Sequence, residues 1–205
     1  MGLCYYDGQG VKRNFEQAVA WWTKAAEQGH AIARRRLKEL TDRTEVFISY
    51  KQNVEPDKQF LVELCTFLKS LTLDYGIKIW AAEKDLEVGV EWDKEIRKHM
   101  LVARVVIFLV SQNFLVSEFV RNEELPELLQ AAKYEHATIL WIPISPSRVE
   151  DAKIMCKDGT KLCIADYQAI CDPVIPLQDM SKTEREKIYN KICERIKCCF
   201  GVVDS

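Results

Sequence analysis

The chain has 205 residues, enough for one full-sized domain and a small appendage, and 48% of them are hydrophobic, which excludes wholesale disorder. A formal net charge of −2 argues against a general nucleic-acid surface, which needs a basic excess. No run approaches the ~18 apolar residues of a membrane span, the longest being Val105 to Val110, so no membrane-spanning segment is expected.

The first forty residues carry helical chemistry. Gly8-Gln9-Gly10-Val11 is a turn signal. Ala18, Trp21, Trp22, Ala25 and Ala26 then recur at i, i+3, i+4, i+7 and i+8, one stripe of an amphipathic helix. Gly29 stops it, and a second helix is predicted from His30-Ala31. Arg34-Arg35-Arg36 with Lys38 reads as a solvated helix face. The stretches Gly2-Leu3-Cys4-Tyr5, Gly8 to Val11 and Ala18 to Gly29 resemble a Sel-one-like repeat, a relative of the tetratricopeptide repeat. The resemblance implies a spacer or protein-binding module over residues 1–40. A lone repeat cannot bury its hydrophobic face, so the chain is expected to be a fragment of a longer array or to dock this segment on another surface.

Thr41-Asp42-Arg43-Thr44 is a short polar joint, and beyond it strands alternate with helices. Val46-Phe47-Ile48, Ile77 to Trp80, Val105 to Val110 and Ile139 to Ile144 read as strands. Helices are predicted around Phe60 to Leu71, Trp92 to Leu101, Leu125 to Tyr134 and Lys182 to Lys197. This alternation implies an α/β fold, a parallel sheet with helices on both faces. Ligands in such sheets sit beyond the carboxyl ends of the strands, where strand order reverses. The loops after Ile48, Trp80 and Val110 are therefore the places to search. They contain no glycine-rich phosphate loop, no serine elbow and no cysteine–histidine pair.

The eight cysteines show no zinc-site spacing and the three histidines are scattered, so no metal site is expected. The amino terminus lacks a charged-then-apolar signal segment. The expected compartment is the cytoplasm, with the cysteines reduced and mostly serving as small buried hydrophobes.

Val46-Phe47-Ile48-Ser49-Tyr50, then Trp80 with Asp85 to Gly89 and Trp92, then Phe108 to Ser111, Phe114-Leu115, Ser117-Glu118-Phe119 and Glu124-Leu125-Pro126, follow in order. Together they resemble a TIR (Toll/interleukin receptor) domain over residues 45–200, of the type found in bacterial immune proteins and in the axon-degeneration NADase. The resemblance implies a flavodoxin-like, five-stranded parallel sheet. In the catalytic branch it also implies cleavage of the nicotinamide–ribose bond of NAD, with NAD as substrate, no further cofactor, and self-association of the TIR domains. Its catalytic carboxylate lies early in the helix after the third strand, where this chain offers Glu123 and Glu124.

At about 100° per residue, Leu125, Leu128, Leu129 and Ala132 form one apolar stripe. Glu124 falls beside that stripe and Glu123 nearly opposite, which favours Glu124 as the desolvated acid. Both glutamates also have a purely structural explanation. Asn122 is a good N-cap, and acids in a first turn stabilise the helix through its dipole. For the substrate, the resemblance implies Ser49, Tyr50 and Lys51 at the end of the first strand, where the alternative is that Tyr50 simply packs and Lys51 is solvated. The resemblance also places Lys84 in a loop that meets a neighbouring subunit. Trp80 is a candidate pocket wall, although a strand-end tryptophan more often belongs to the core, and Ser111 and Ser117 are candidates for ribose or diphosphate. Ser117 also suits capping. Ala82 stands where related sequences often carry an acid, so no site is expected there. Beside an NAD glycohydrolase, two functions fit the chain. One is a non-catalytic adaptor, with TIR–TIR contacts and a protein partner on the repeat. The other is a module that binds a nucleotide-derived signal without turnover.

Overall fold

The computed structural model describes residues 2–7, 10–11, 15–41, 43–81, 90–134, 137–156 and 158–202. Three helices open the chain: α1 (Gly2–Asp7), α2 (Phe15–Glu27) and α3 (Ala31–Thr41). Gly29 takes a φ of 89°, the left-handed conformation that glycine adopts at a helix end. Nδ1 of His30 accepts a hydrogen bond from the Ala33 amide at 3.4 Å and so opens α3. Ala18, Trp22 and Ala33 form a small core, with Tyr5, Tyr6 and Leu37 against it. Trp21 departs from the predicted stripe and is 39% exposed, with Lys24 Nζ 5.9 Å from its ring. It lies about 100° round the helix from Trp22, beyond what two neighbouring helices cover.

Four parallel strands follow: β1 (Glu45–Ser49), β2 (Lys78–Ala81), β3 (Ala103–Val110) and β4 (Thr138–Pro143). Their order is β2-β1-β3-β4, with Phe47 paired to Trp80 and Ser49 paired to Phe108. Between them lie α4 (Asp57–Tyr75), α5 (Val90–Val102), the short α6 (Gln112–Val116) and α7 (Leu125–Tyr134), and α8 (Lys182–Phe200) closes the domain. Alternation along each strand divides the core in two. Val46, Ile48 and Tyr50 pack with Leu64, Leu68 and Ile192, on the side of α4 and α8. Phe47, Val106 and Phe108 pack with Ile96, Leu125 and Leu128, on the side of α5 and α7. The predicted parallel α/β architecture is thus present.

The sheet differs from the expected five strands. Beside β4 there is one parallel bridge, Trp141 with Ala169, made by the Ile170 amide donating to the Trp141 carbonyl at 3.0 Å. Pro173 and Pro176 follow and have no amide to extend a ladder. A small antiparallel pair, β5 (Lys153–Met155) with β6 (Lys161–Cys163), stands apart. The polar joint is also partly internal. Arg43 is 3% exposed and its Nη1 donates to the carbonyls of Met100 and Ala103, at 3.3 and 2.8 Å, where α5 runs into β3.

Candidate functional site

Strand order reverses between β1 and β3, so the crevice rule points to their carboxyl ends. Ser49 ends β1, shares the α5/α7 side with Phe47 by alternation, and is fully buried. Its hydroxyl donates to Oε2 of Glu124 at 2.6 Å. Glu124 is 3% exposed and closes a π-helical turn, Val120–Glu124, in which the Leu125 amide reaches back to the Val120 carbonyl. Such one-residue insertions into helices occur frequently at functional sites. Burial pushes the Glu124 carboxyl up to about 7, while the Ser49 hydroxyl pulls it the other way.

Asn122 does not cap a helix. It sits exposed inside the π-helical turn, which Phe119 enters already in helical conformation, so no helix end falls there for a cap to satisfy. Glu123 is far more exposed than Glu124. Its side chain is 43% exposed and accepts from Arg97 Nη2, while Arg97 Nη1 lies 3.7 Å from Glu127. Ile96, Met100 and Phe119, together with Arg97, Glu123 and Glu124, line a recess whose open surface is apolar. It has room for about one water molecule.

The remaining candidates are distributed around this point. Ser111 is buried, accepts from the Phe114 amide at 3.0 Å as the N-cap of α6, and donates to Asp57 Oδ2 at 2.7 Å. Asp57 is 1% exposed, its carboxyl raised by burial, and Lys51 is close enough to oppose that shift. Tyr50 packs into the α4/α8 core, on the other side of the sheet from Glu124. Trp80 stacks between Phe47 and His99, at centroid distances of 5.2 and 4.6 Å. His99 is held by Glu45 at 2.6 Å and Glu95 at 3.1 Å. Ser117 ends α6, and its carbonyl accepts from the Arg121 amide at 2.9 Å. Lys84, Ala82 and Gly89 lie outside the described residues, as does the side chain of Trp92.

The structure therefore brings Ser49 to Glu124 and Ser111 to Asp57. Sequence reasoning missed Asp57 and Arg97. Asp57 had a visible signal, an acid at the start of a helix just after β1, but that position also suits a helix dipole. Among the described residues no group of three or more His, Cys, Asp or Glu side chains is gathered to hold a metal ion. Nor is any described helix long and apolar enough to cross a membrane.

Compared with known protein families, residues 46–170 match the one described as TIR domain, and residues 1–30 match the one described as Sel1 repeat. No curated protein matches the chain.

Proposed function

The chain belongs to the TIR-domain family, and from that premise we propose that it cleaves the nicotinamide–ribose bond of NAD with Glu124 as its catalytic carboxylate. The observation that carries this reading is the inward placement of Glu124, hydrogen-bonded to Ser49 at the carboxyl end of β1 and among the residues that line a recess beside α5. Heterolysis leaves the bonding pair on the nicotinamide nitrogen, which departs neutral. Positive charge then spreads over C1′ and the ring oxygen of the ribose, and a carboxylate beside that sugar stabilises it. Water adds its oxygen to C1′ and releases a proton, giving ADP-ribose. Attack from within the same molecule gives a cyclic form.

The recess admits about one water, so a ribose needs α5 and the π-helical turn to separate. That supports activation by self-association of TIR domains, with residues 45–200 as the assembling unit and residues 1–40 binding a protein partner. The setting we assign is cytoplasmic immune or cell-death signalling. Concentrated protein incubated with NAD and a crowding agent is expected to release nicotinamide, resolved by chromatography, and Glu124→Ala to release none. Absence of turnover by the unaltered chain in every assembled state would overturn the proposal.

A second reading rests on the same hydrogen bond, which also serves as an internal link between β1 and the helix leading to α7. As a non-catalytic adaptor, the protein would assemble and signal unchanged with Glu124→Gln. A thermal shift with ADP-ribose but no product would favour a third, the sensing of a nucleotide-derived signal.

A further inference from the structure

Ser49 was read from the sequence as a group that meets the substrate, and its surroundings suit a different task. Its neighbours Ile48 and Tyr50 project to the opposite face of the sheet, and its side chain is enclosed on the side of α5 and α7. With no solvent to bond, the hydroxyl has one proton to place, and it places it on Oε2 of Glu124. Glu124 reaches this point from the end of the π-helical turn, so two elements far apart in the chain converge on one short contact. A mere clip between strand and helix would be made as well by an amide, without the cost of burying an acid.

We infer that Ser49 is a positioning residue for Glu124: its hydroxyl pins one carboxylate oxygen, fixes the side-chain rotamer, and favours the anion that the ribose cation requires. The inference rests on the NAD-cleaving reading for its purpose, but the contact itself can be judged without turnover. Among the described residues, the charged groups that line the recess with Glu124 are Arg97 on α5 and Glu123 beside it, and Arg97 pairs with Glu123 and with Glu127 on α7. Ser49 is then the one described side chain that stabilises the charged form against burial.

The test is a carboxyl titration of the full chain labelled with 13C at glutamate side chains, followed by infrared difference spectroscopy, with Glu124→Gln identifying the signal. Ser49→Ala is expected to raise the Glu124 midpoint by about one pH unit, a tenfold loss in ionisation. Ser49→Thr, which keeps the hydroxyl and suits a strand, is expected to stay close to the unaltered midpoint. Ser49→Cys, near in shape but a weak donor, is expected to raise it and replaces Ser49→Ala if that variant does not fold. A midpoint that stays put or falls in both donor-poor variants would overturn the inference. In the nicotinamide assay, the acid limb of the pH profile is expected to move with the midpoint. Activity lost equally at all pH values over an unmoved midpoint would instead make Ser49 a substrate contact or a structural residue. If the unaltered chain releases no nicotinamide, the proposed function fails while the titration still decides the role of Ser49.

Discussion

Glu123 and Glu124 are consecutive in the chain and opposite in environment. The side chain of Glu123 is 43% exposed and ion-paired to Arg97, whereas Glu124 is 3% exposed and bonded to the hydroxyl of Ser49. The pair separates two tasks that a sequence pattern alone leaves tangled, a surface ion pair and a desolvated acid. Glu124→Ala is therefore expected to abolish nicotinamide release, while Glu123→Ala leaves it within about fivefold, an effect of order 1 kcal/mol. Parallel assays at matched protein concentration check this.

The buried acid also has a stability signature. Its carboxyl, at about 7 in the folded chain against an ordinary value of 4.5, binds more protons folded than unfolded between those limits. Stability from this group is thus present below pH 4.5, declines as pH rises, and is fully lost above 7. The total is on the order of 3 kcal/mol. Denaturant unfolding across this window should show the decline, and Glu124→Gln should flatten it.

Glu63 is expected to act with the opposite sign. Its partial burial would raise the carboxyl, but donation from Arg185, Gln59 and Tyr189 brings it below its ordinary value of 4.5. Arg185 Nε and Nη2 grip both oxygens, at 2.9 and 3.1 Å, and tie α8 to α4. The stability this gives is present above 4.5 and is lost as pH falls through the depressed value. Arg185→Ala should cost about 2 kcal/mol at neutral pH, since a two-pronged charged contact is removed. The difference between variant and parent should shrink in acid, as thermal unfolding would reveal.

Arg97 with Glu123 is a more exposed pair and carries less. A double-mutant cycle on Arg97→Ala and Glu123→Ala should give a coupling of about 0.2–1 kcal/mol that falls with added salt. By contrast, Arg43→Ala should destabilise by about 2 kcal/mol with little salt dependence, because it strips the donor from two carbonyls at the α5–β3 junction. Equilibrium unfolding at low and high ionic strength separates the two cases.

Much of this molecule was legible in its residues because the relevant signals are periodic. Alternation in β1 and β3 and the helical phase of Leu125, Leu128 and Leu129 placed the sheet, its covering helices and the inward turn of Glu124. Partnerships were not legible, since nothing local links Ser49 to a residue 75 positions away or Ser111 to one 54 away. The same alternation that buried Ser49 with Glu124 sent Tyr50 to the other face. Propensity misled at Asn122, a good cap in a stretch where the helix runs on through a π-helical turn. Trp80 was open between pocket wall and core, and its stacking on Phe47 and His99 depends on strand register and on α5.

The wide turn at Val120–Glu124 makes the surroundings of the acid a matter of counting. Glu124 takes its bearing from α7, which follows it, whereas Phe119, on the recess wall, belongs to the stretch before. In a chain one residue shorter at this turn, the carboxylate would keep its heading while the aromatic ring swung about 100° around the axis. An insertion or deletion here would thus re-furnish the cleft without touching its reactive group, so that length variation at one exposed asparagine becomes a means of changing what the acid can admit.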